Sequence, residues 1–180
     1  YLSRAESGAE RLDNILSRLR EATRLEQSLK DAEIVSFDIV DLINSQVDGY
    51  REIWPKISFV VDAEEEAMSI IGAPELVVQA IDKLISNAID FHKINTPTLI
   101  NVAKDKKYLK IGVVNQGEAL PEQEIFESMV SSRVKSGDQP HLGMGLYIVK
   151  LVADFHAGTV AASNLDDKHV VVSFSLANVN

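Results

Sequence analysis

The sequence predicts an α+β protein: a two-layer α/β sandwich of mostly antiparallel sheet with helices on one face, preceded by one long helix. Three observations carry this. Two pairs of alternating apolar runs are each joined by a short polar turn, the pattern of β-hairpins. Between and around them lie segments whose apolar residues recur at three- and four-residue steps, the helical period. And residues 1 to about 31 form one unbroken helical pattern with no proline in it.

The elements follow in order. In the first segment Leu2, Leu12, Ile15, Leu16, Leu19, Ala22 and Leu29 keep an apolar stripe, while Arg and Glu fill the other faces. A surface helix on the following domain would account for the stripe. The length and charge favour an arm of a coiled coil or four-helix dimer. The boundaries expected are therefore 1–31 for this helix and 32–180 for a mixed domain. There a strand, Ile34 to Phe37, leads into Asp38, an N-cap for a helix running to about Trp54. "KISFVVDAEE" and "EAMSIIG" read as two short strands. "APELVVQAIDKLISNAIDFH" is helical, with Pro74 in the first turn and Val77, Ile81, Leu84 and Ala88 as its core face. "TLINVAKDKKYLKIGVVNQG" is a hairpin turning near Asp105 and Lys106. Leu109, Ile111 and Val113 alternate there with Lys110 and Gly112. A short helix follows Pro121. "SSRVKSGDQPHLGMG" has no period and reads as a long polar loop. "LYIVKLVADFHAG" is a helix closed by Gly158. "TVAASNLDDKHVVVSFSL" is the second hairpin, with Val170, Val172, Phe174 and Leu176 on one face.

Composition removes several function classes. A net charge of −9 argues against a general nucleic-acid or anionic-membrane surface. With no cysteine there is no disulfide framework and no thiolate metal site. No apolar run approaches the ~20 residues that span a bilayer.

Three local features could carry chemistry. Asn87 stands mid-helix, although an amide side chain competes with the backbone and is a poor helix former. It shares a stripe with Lys83 and with Asp90 or Phe91, beside the apolar stripe. An amide oxygen can ligate a hard cation such as Mg²⁺, which prefers oxygen ligands and is shared with substrate phosphates. An ammonium one turn away can reach a phosphate. A polar helix flank facing water explains the same residues. Second, "VVNQGEALP" ends a strand in Asn115, at a sheet edge, with Gly117 two residues on. The glycine lets a flat ligand approach or the chain turn sharply. Third, Gly143 and Gly145 flank Met144 at the start of a helix, where backbone N–H groups and the positive end of the dipole favour anions.

Taken in order, these features resemble the ATP-binding catalytic domain of bacterial sensor histidine kinases, within the ATPase superfamily of DNA gyrase B, heat-shock chaperones and mismatch-repair proteins. "KLISNA" is similar to the N box, "NQGEALP" to the first Gly box, "IFESMV" to the F box and "HLGMGLYIVK" to the second Gly box. The resemblance covers about residues 34–177. "LREATRLEQ" resembles the second helix of the dimerisation and histidine-phosphotransfer domain, which extends it to nearly the whole chain. "DKLISNAIDF", "SMVSSR" and "HLGMGLYIVKLVADFHAG" are most similar to a proteobacterial subgroup linked to dedicated sortase systems.

The resemblance implies a Bergerat-type fold binding ATP and Mg²⁺. Asn87 would ligate the metal, Asn115 would meet the adenine amino group, and Gly117 would let adenine lie close to the strand. Gly143 and Gly145 would present N–H groups to the phosphates. The loop from about Ser128 to Leu142 would be the ATP lid, with Arg133 or Lys135 on phosphate. Lys83, Asp90, Leu120, Leu142 and Met144 complete the implied nucleotide-contacting set. The family often has Asn where Lys83 stands, Asp where Asn115 stands and a second Gly where Ala119 stands. Asn115 keeps an acceptor and loses a charge, which implies weaker adenine binding. A lysine, cationic at neutral pH, is no base for water, unlike the Glu of gyrase-type hydrolases at this position. Lys83 thus fits phosphotransfer better than hydrolysis.

None of His92, His141, His156 and His169 opens a helix in a His-Glu or His-Asp pair, so the phosphoacceptor is expected upstream of Tyr1. The implied parent is a homodimer working with a cognate response regulator at the cytoplasmic side of the inner membrane, anchored only through segments outside this sequence. A degenerate nucleotide-binding scaffold and a protein-serine kinase of the anti-sigma type are the competing readings.

Overall fold

A computed structural model describes residues 8, 9, 12, 16, 17, 20, 23–91, 93, 95–117 and 142–177. The mixed domain runs β1 (Val35–Asp38), α1 (Ile39–Ile53), β2 (Ser58–Ala63), β3 (Ser69–Gly72), α2 (Pro74–Asp90), β4 (Pro97–Lys104), β5 (Tyr108–Gln116), α3 (Leu142–Phe155), β6 (Val160–Asn164) and β7 (His169–Ala177). Five strands form one sheet in the order β2-β4-β5-β7-β6, while β1 and β3 make a separate antiparallel ribbon.

The predicted α+β sandwich and both hairpins are present, and three ladders of the main sheet are antiparallel. The fourth, β2 with β4, is parallel. The chain leaves β2, adds β3 to the ribbon, crosses through α2 and returns alongside β2. A parallel neighbour needs such a crossover.

Polar side chains set the ends of the elements. Asp38 ends β1 and caps α1, its Oδ1 accepting from the N–H groups of Val40 (2.8 Å) and Asp41 (3.2 Å). The two hairpin turns use one device. Asp105 Oδ1 accepts from Lys107 and Tyr108 N–H. Asp166 Oδ1 accepts from Lys168 and His169 N–H. Those backbone donors hold both carboxyls below the ordinary aspartate range.

The core lies between the helices and one face of the sheet. Ile100, Val102, Leu109, Ile111, Val113, Phe174 and Leu176 are buried against Leu76, Val77, Ala80, Ile81, Leu84, Ile85 and Ala88 of α2 and Leu146, Val149, Val152 and Ala153 of α3. All four predicted core residues of α2 are among them. Residues 23–30 are helical, and their Leu25, three residues after Ala22 and four before Leu29 of the predicted stripe, is only 2% exposed and joins this core. Ser28 Oγ also accepts from Gln79 Nε2 of α2 at 3.2 Å. Farther up that segment Leu12 and Leu16 are 63% and 52% exposed.

Two expectations change at α3. The helix begins at Leu142, so Gly143, Met144 and Gly145 lie inside its first turn rather than before it. Its end is a Schellman motif: Gly158 N–H donates to Ala153 O (2.8 Å) and Ala157 N–H to Asp154 O (3.1 Å). The left-handed residue is Ala157, at φ 51°, and not Gly158. Gly158 is glycine for another reason: a Cβ there would stand 1.7 Å from the Ser175 carbonyl oxygen of β7. The expected short helix after Pro121, and the polar loop up to His141, lie outside the described residues.

Candidate nucleotide site

Helices α2 and α3 pack as an antiparallel pair joined at both ends. At one end, the N-cap residue Ala73 of α2 has no side-chain cap, and its N–H donates to His156 Nε2 just beyond α3, at 3.0 Å. His156 Nδ1 donates to Val152 O at 2.8 Å. An imidazole that accepts at Nε2 and donates at Nδ1 is neutral. Burial accordingly holds its pKa below the ordinary 6.5, against the opposing pull of the Val152 carbonyl. Gly72 makes room for the ring, since a Cβ there would meet its Cδ2 and Nε2 at 3.0 Å.

At the other end, the first turn of α3 crosses over Asn87 and Lys83. A Cβ at Gly145 would stand 3.6 Å from Asn87 Oδ1, 3.7 Å from Asn87 Nδ2 and 3.7 Å from Lys83 Cβ. The two most separated sequence motifs therefore meet. Asn87 is half-buried beside the core stripe, and Ala88 after it is in the core. First-turn N–H groups of a helix, here including those of Gly143 and Met144, have no intrahelical acceptor. An amide oxygen, the root of a lysine side chain and these N–H groups thus lie close together. This donor set suits a phosphate bearing a hard cation. Among the described residues no group of three or more His, Cys, Asp or Glu could hold a metal. A Mg²⁺ here would take Asn87 Oδ1 as its protein ligand, with phosphate and water oxygens for the rest.

The second part of the site is at the end of β5. Asn115 follows Val113 on the core face and is half-buried. Its Nδ2 donates to Gln116 O at 3.3 Å, which leaves Oδ1 as the outward acceptor. Gly117 continues the ladder by donating to Lys168 O at 3.0 Å. It has no left-handed φ, and a Cβ on it would make only ordinary contact, 3.6 Å from Asn115 Nδ2. The backbone at Gly117 itself does not demand glycine. Gln116 Nε2 and His169 Nε2 are 3.1 Å apart, and His169 Nδ1 is 2.7 Å from an Asp166 carboxylate oxygen.

Asp90 is the exposed last residue of α2. Leu120 and Arg133 lie outside the described residues, as do Lys135, His92, His141 and the side chains of Leu142 and Met144. Sequence reasoning missed the His156 tie. No local signal reveals it, because Ala73 is far from His156 along the chain.

The family model for histidine kinase-, DNA gyrase B- and HSP90-like ATPases matches residues 72–179, more than half of the chain. The sensor protein ChvG of Agrobacterium fabrum is 28% identical over an alignment 176 residues long that covers 91% of this chain and 30% of ChvG. The chain thus spans about a third of that relative's length. The nucleotide-free catalytic domain of the histidine kinase ThkA superposes with a TM-score of 0.72 at 22% identity, covering 81% of this chain and 96% of that one. ThkA in complex with the response regulator protein TrrA gives 0.70 at 22% identity, covering 93% and 49%.

Proposed function

This chain belongs to the family of histidine kinase-, DNA gyrase B- and HSP90-like ATPases, and from that premise we propose that it is the ATP-binding catalytic part of a sensor histidine kinase. The observation that carries this reading is the crossing of Gly145 over Asn87 and Lys83. It supplies a phosphate-and-metal end, with Asn115 as an acceptor for an adenine amine. Relatives named sensor proteins match along most of the chain.

In this reading Asn87 holds Mg²⁺, and Lys83 and the first turn of α3 orient the phosphates. A Mg²⁺ held there would offset negative charge on the phosphate oxygens. The γ-phosphorus leaves the β–γ bridging oxygen and bonds to a histidine nitrogen of another helix, releasing ADP. The acceptor is not His156 or His169, whose ring nitrogens are engaged within the fold. Residues 1–31 serve as part of the dimerisation and phosphotransfer helices, and 32–180 as the catalytic domain. The parent is a homodimer on the cytoplasmic side of a membrane, and its phosphate passes to a cognate response regulator, as the ThkA–TrrA complex suggests. Among the described residues no helix is long and apolar enough to cross a membrane. The finer placement in the dedicated-sortase subgroup rests on the quoted motifs alone.

Calorimetric titration with ATP, with Mg²⁺ and with chelator, tests the site. Saturable binding that needs Mg²⁺ and is lost in Asn87→Ala is the expected result. Absence of heat under both conditions would overturn it and leave a nucleotide-free scaffold as the function.

A further inference from the structure

We infer that the edge of β6 is a self-association surface: it pairs antiparallel with β6 of a second copy of this chain and joins the two sheets into one.

The main sheet ends in two edge strands, β2 and β6. An edge strand offers a row of unpaired N–H and C=O groups to any second strand, and proteins blunt such edges with charge, proline or a covering group. β2 is blunted. It carries the exposed Asp62, and Arg51 of α1 reaches its edge, where Nη2 donates to Phe59 O at 2.8 Å. β6 reads Val160-Ala161-Ala162-Ser163-Asn164, with no charge and no proline.

The ladder shows which backbone groups of β6 are left over. Leu165 N–H donates to His169 O and Ser175 N–H donates to Thr159 O, both at 2.8 Å. Hydrogen-bonded and non-bonded pairs alternate along an antiparallel ladder. With Val160 opposite Phe174 and Ala162 opposite Val172, the bonded positions of β6 are Ala161 and Ser163. Val160, Ala162 and Asn164 therefore turn their N–H and C=O groups away from β7. On that outward side the backbone of Val160 and of Ala162 has no partner among the described residues.

The strand is its own complement. A two-fold axis at Ala162 sets it opposite the partner's Ala162, Val160 opposite the partner's Asn164, and Ala161 opposite the partner's Ser163. Each outward donor then meets an outward acceptor. At the flank Asp166 comes opposite the partner's Gly158, so no like charges are opposed. Ala161 and Ser163 are exposed and pair with Ser173 and Val171, on the sheet face away from Phe174 and the helices. Strands of 5 residues bury less than the ~800 Å² per partner of a stable interface. The contact is therefore weak alone and fits copies already held together, where effective concentration is on the order of millimolar. It lies outside the helical segment proposed above for dimerisation.

The chain has no cysteine, so single-cysteine variants report the contact directly. Ala161→Cys and Ser163→Cys are prepared separately, mixed, unfolded and refolded together, then gently oxidised. In the inferred pairing these two positions are a non-hydrogen-bonded pair with Cα atoms about 4.5 Å apart, within disulfide reach. Like positions are offset by two residues, about 8 Å, and out of reach. Mass spectrometry should find a covalent dimer joining the two variants, at least about fivefold above the dimer formed by either alone. Adding Ala162→Pro to both removes an outward N–H that β7 does not use and should abolish the cross-link, with Tm near that of the unmodified protein. If the proline unfolds the chain, the cross-link pattern alone decides. No covalent dimer, or equal yields in the mixture and the single variants, would overturn the inference. Equal yields are what association through the N-terminal helix alone would give. A cross-link that survives in folded Ala162→Pro protein would overturn it as well.

Discussion

The two ends of the candidate site are built by different means. The phosphate end is made by two helices, and its groups come from α2 and the first turn of α3, which touch at Asn87, Lys83 and Gly145. The base end is made by a strand, with Asn115 near the end of β5. The helical end holds charge and backbone N–H groups near water. The strand end holds neutral groups within the core face. A polyanion calls for donors and cations that act over distance, whereas a flat heterocycle calls for fixed directional groups in an apolar wall. The first end should therefore dominate affinity and the second should dominate selectivity.

The largest effect should come from Asn87→Ala. Loss of the amide oxygen should cut Mg-ATP affinity about 100-fold or more, extending the 10- to 100-fold losses typical when even a supporting group of a metal site is removed. Adenosine binding should barely change. A matching loss of adenosine affinity would break the division of labour. Gly145→Ala comes next and separates stability from binding. The new Cβ makes ordinary contacts at 3.6–3.7 Å, and Ala is the better helix former, so unfolding by denaturant should show a gain of about 0.5–1 kcal/mol. The same methyl occupies the space between Asn87 and Lys83, and Mg-ATP affinity should fall about tenfold, a loss of ~1.4 kcal/mol. If affinity is unchanged, phosphates do not use that crossing.

A smaller effect concerns the tie that holds both helices in register. His156 must stay neutral to accept from Ala73 N–H, and its folded pKa lies below the unfolded 6.5. The unfolded chain therefore binds the proton first. Stability contributed by this group is complete above about pH 6.5 and declines as the pH falls from there through the folded value. Tm measured against pH should show this slope, and His156→Gln should flatten it. The smallest effect is expected for Ala157→Gly, which relieves a left-handed φ of 51°. It should raise stability by about 0.5–1 kcal/mol and leave ATP and adenosine titrations unchanged. A change in either titration would couple the far end of α3 to the site.

The same contrast explains what was legible in the sequence. Asn87, Gly143 and Gly145 stood out because helical spacing and glycine placement are local signals. The hairpins stood out because an Asp turn and alternation are local too. The parallel β2–β4 pair did not, because it depends on where the chain returns after a crossover. Leu25 falls on the helical stripe between Ala22 and Leu29, but its docking on the core of the mixed domain is a long-range contact that spacing does not reveal. The start of α3 was placed too late because glycine disfavours helix in isolation, whereas packing on Asn87 and Lys83 sets it at Leu142. Gly158 was read as a conformational stop. Its actual constraint is steric, and it comes from a strand much later in the chain.

That steric constraint gives α3 a mechanical character. At its C-terminal end the helix is fastened by the tight seat of Gly158 on Ser175 and by the His156 pin. Its opposite end carries the first turn that crosses Asn87 and Lys83. A helix of 14 residues is a rod about 21 Å long. Leu146, Val149, Val152 and Ala153 are buried along that length, so the rod moves as one piece with its packing: a tilt of about 5° about the fastened end would carry the first turn by nearly 2 Å, on the geometry of such a rod. That displacement is enough to make or break hydrogen bonds at the tip.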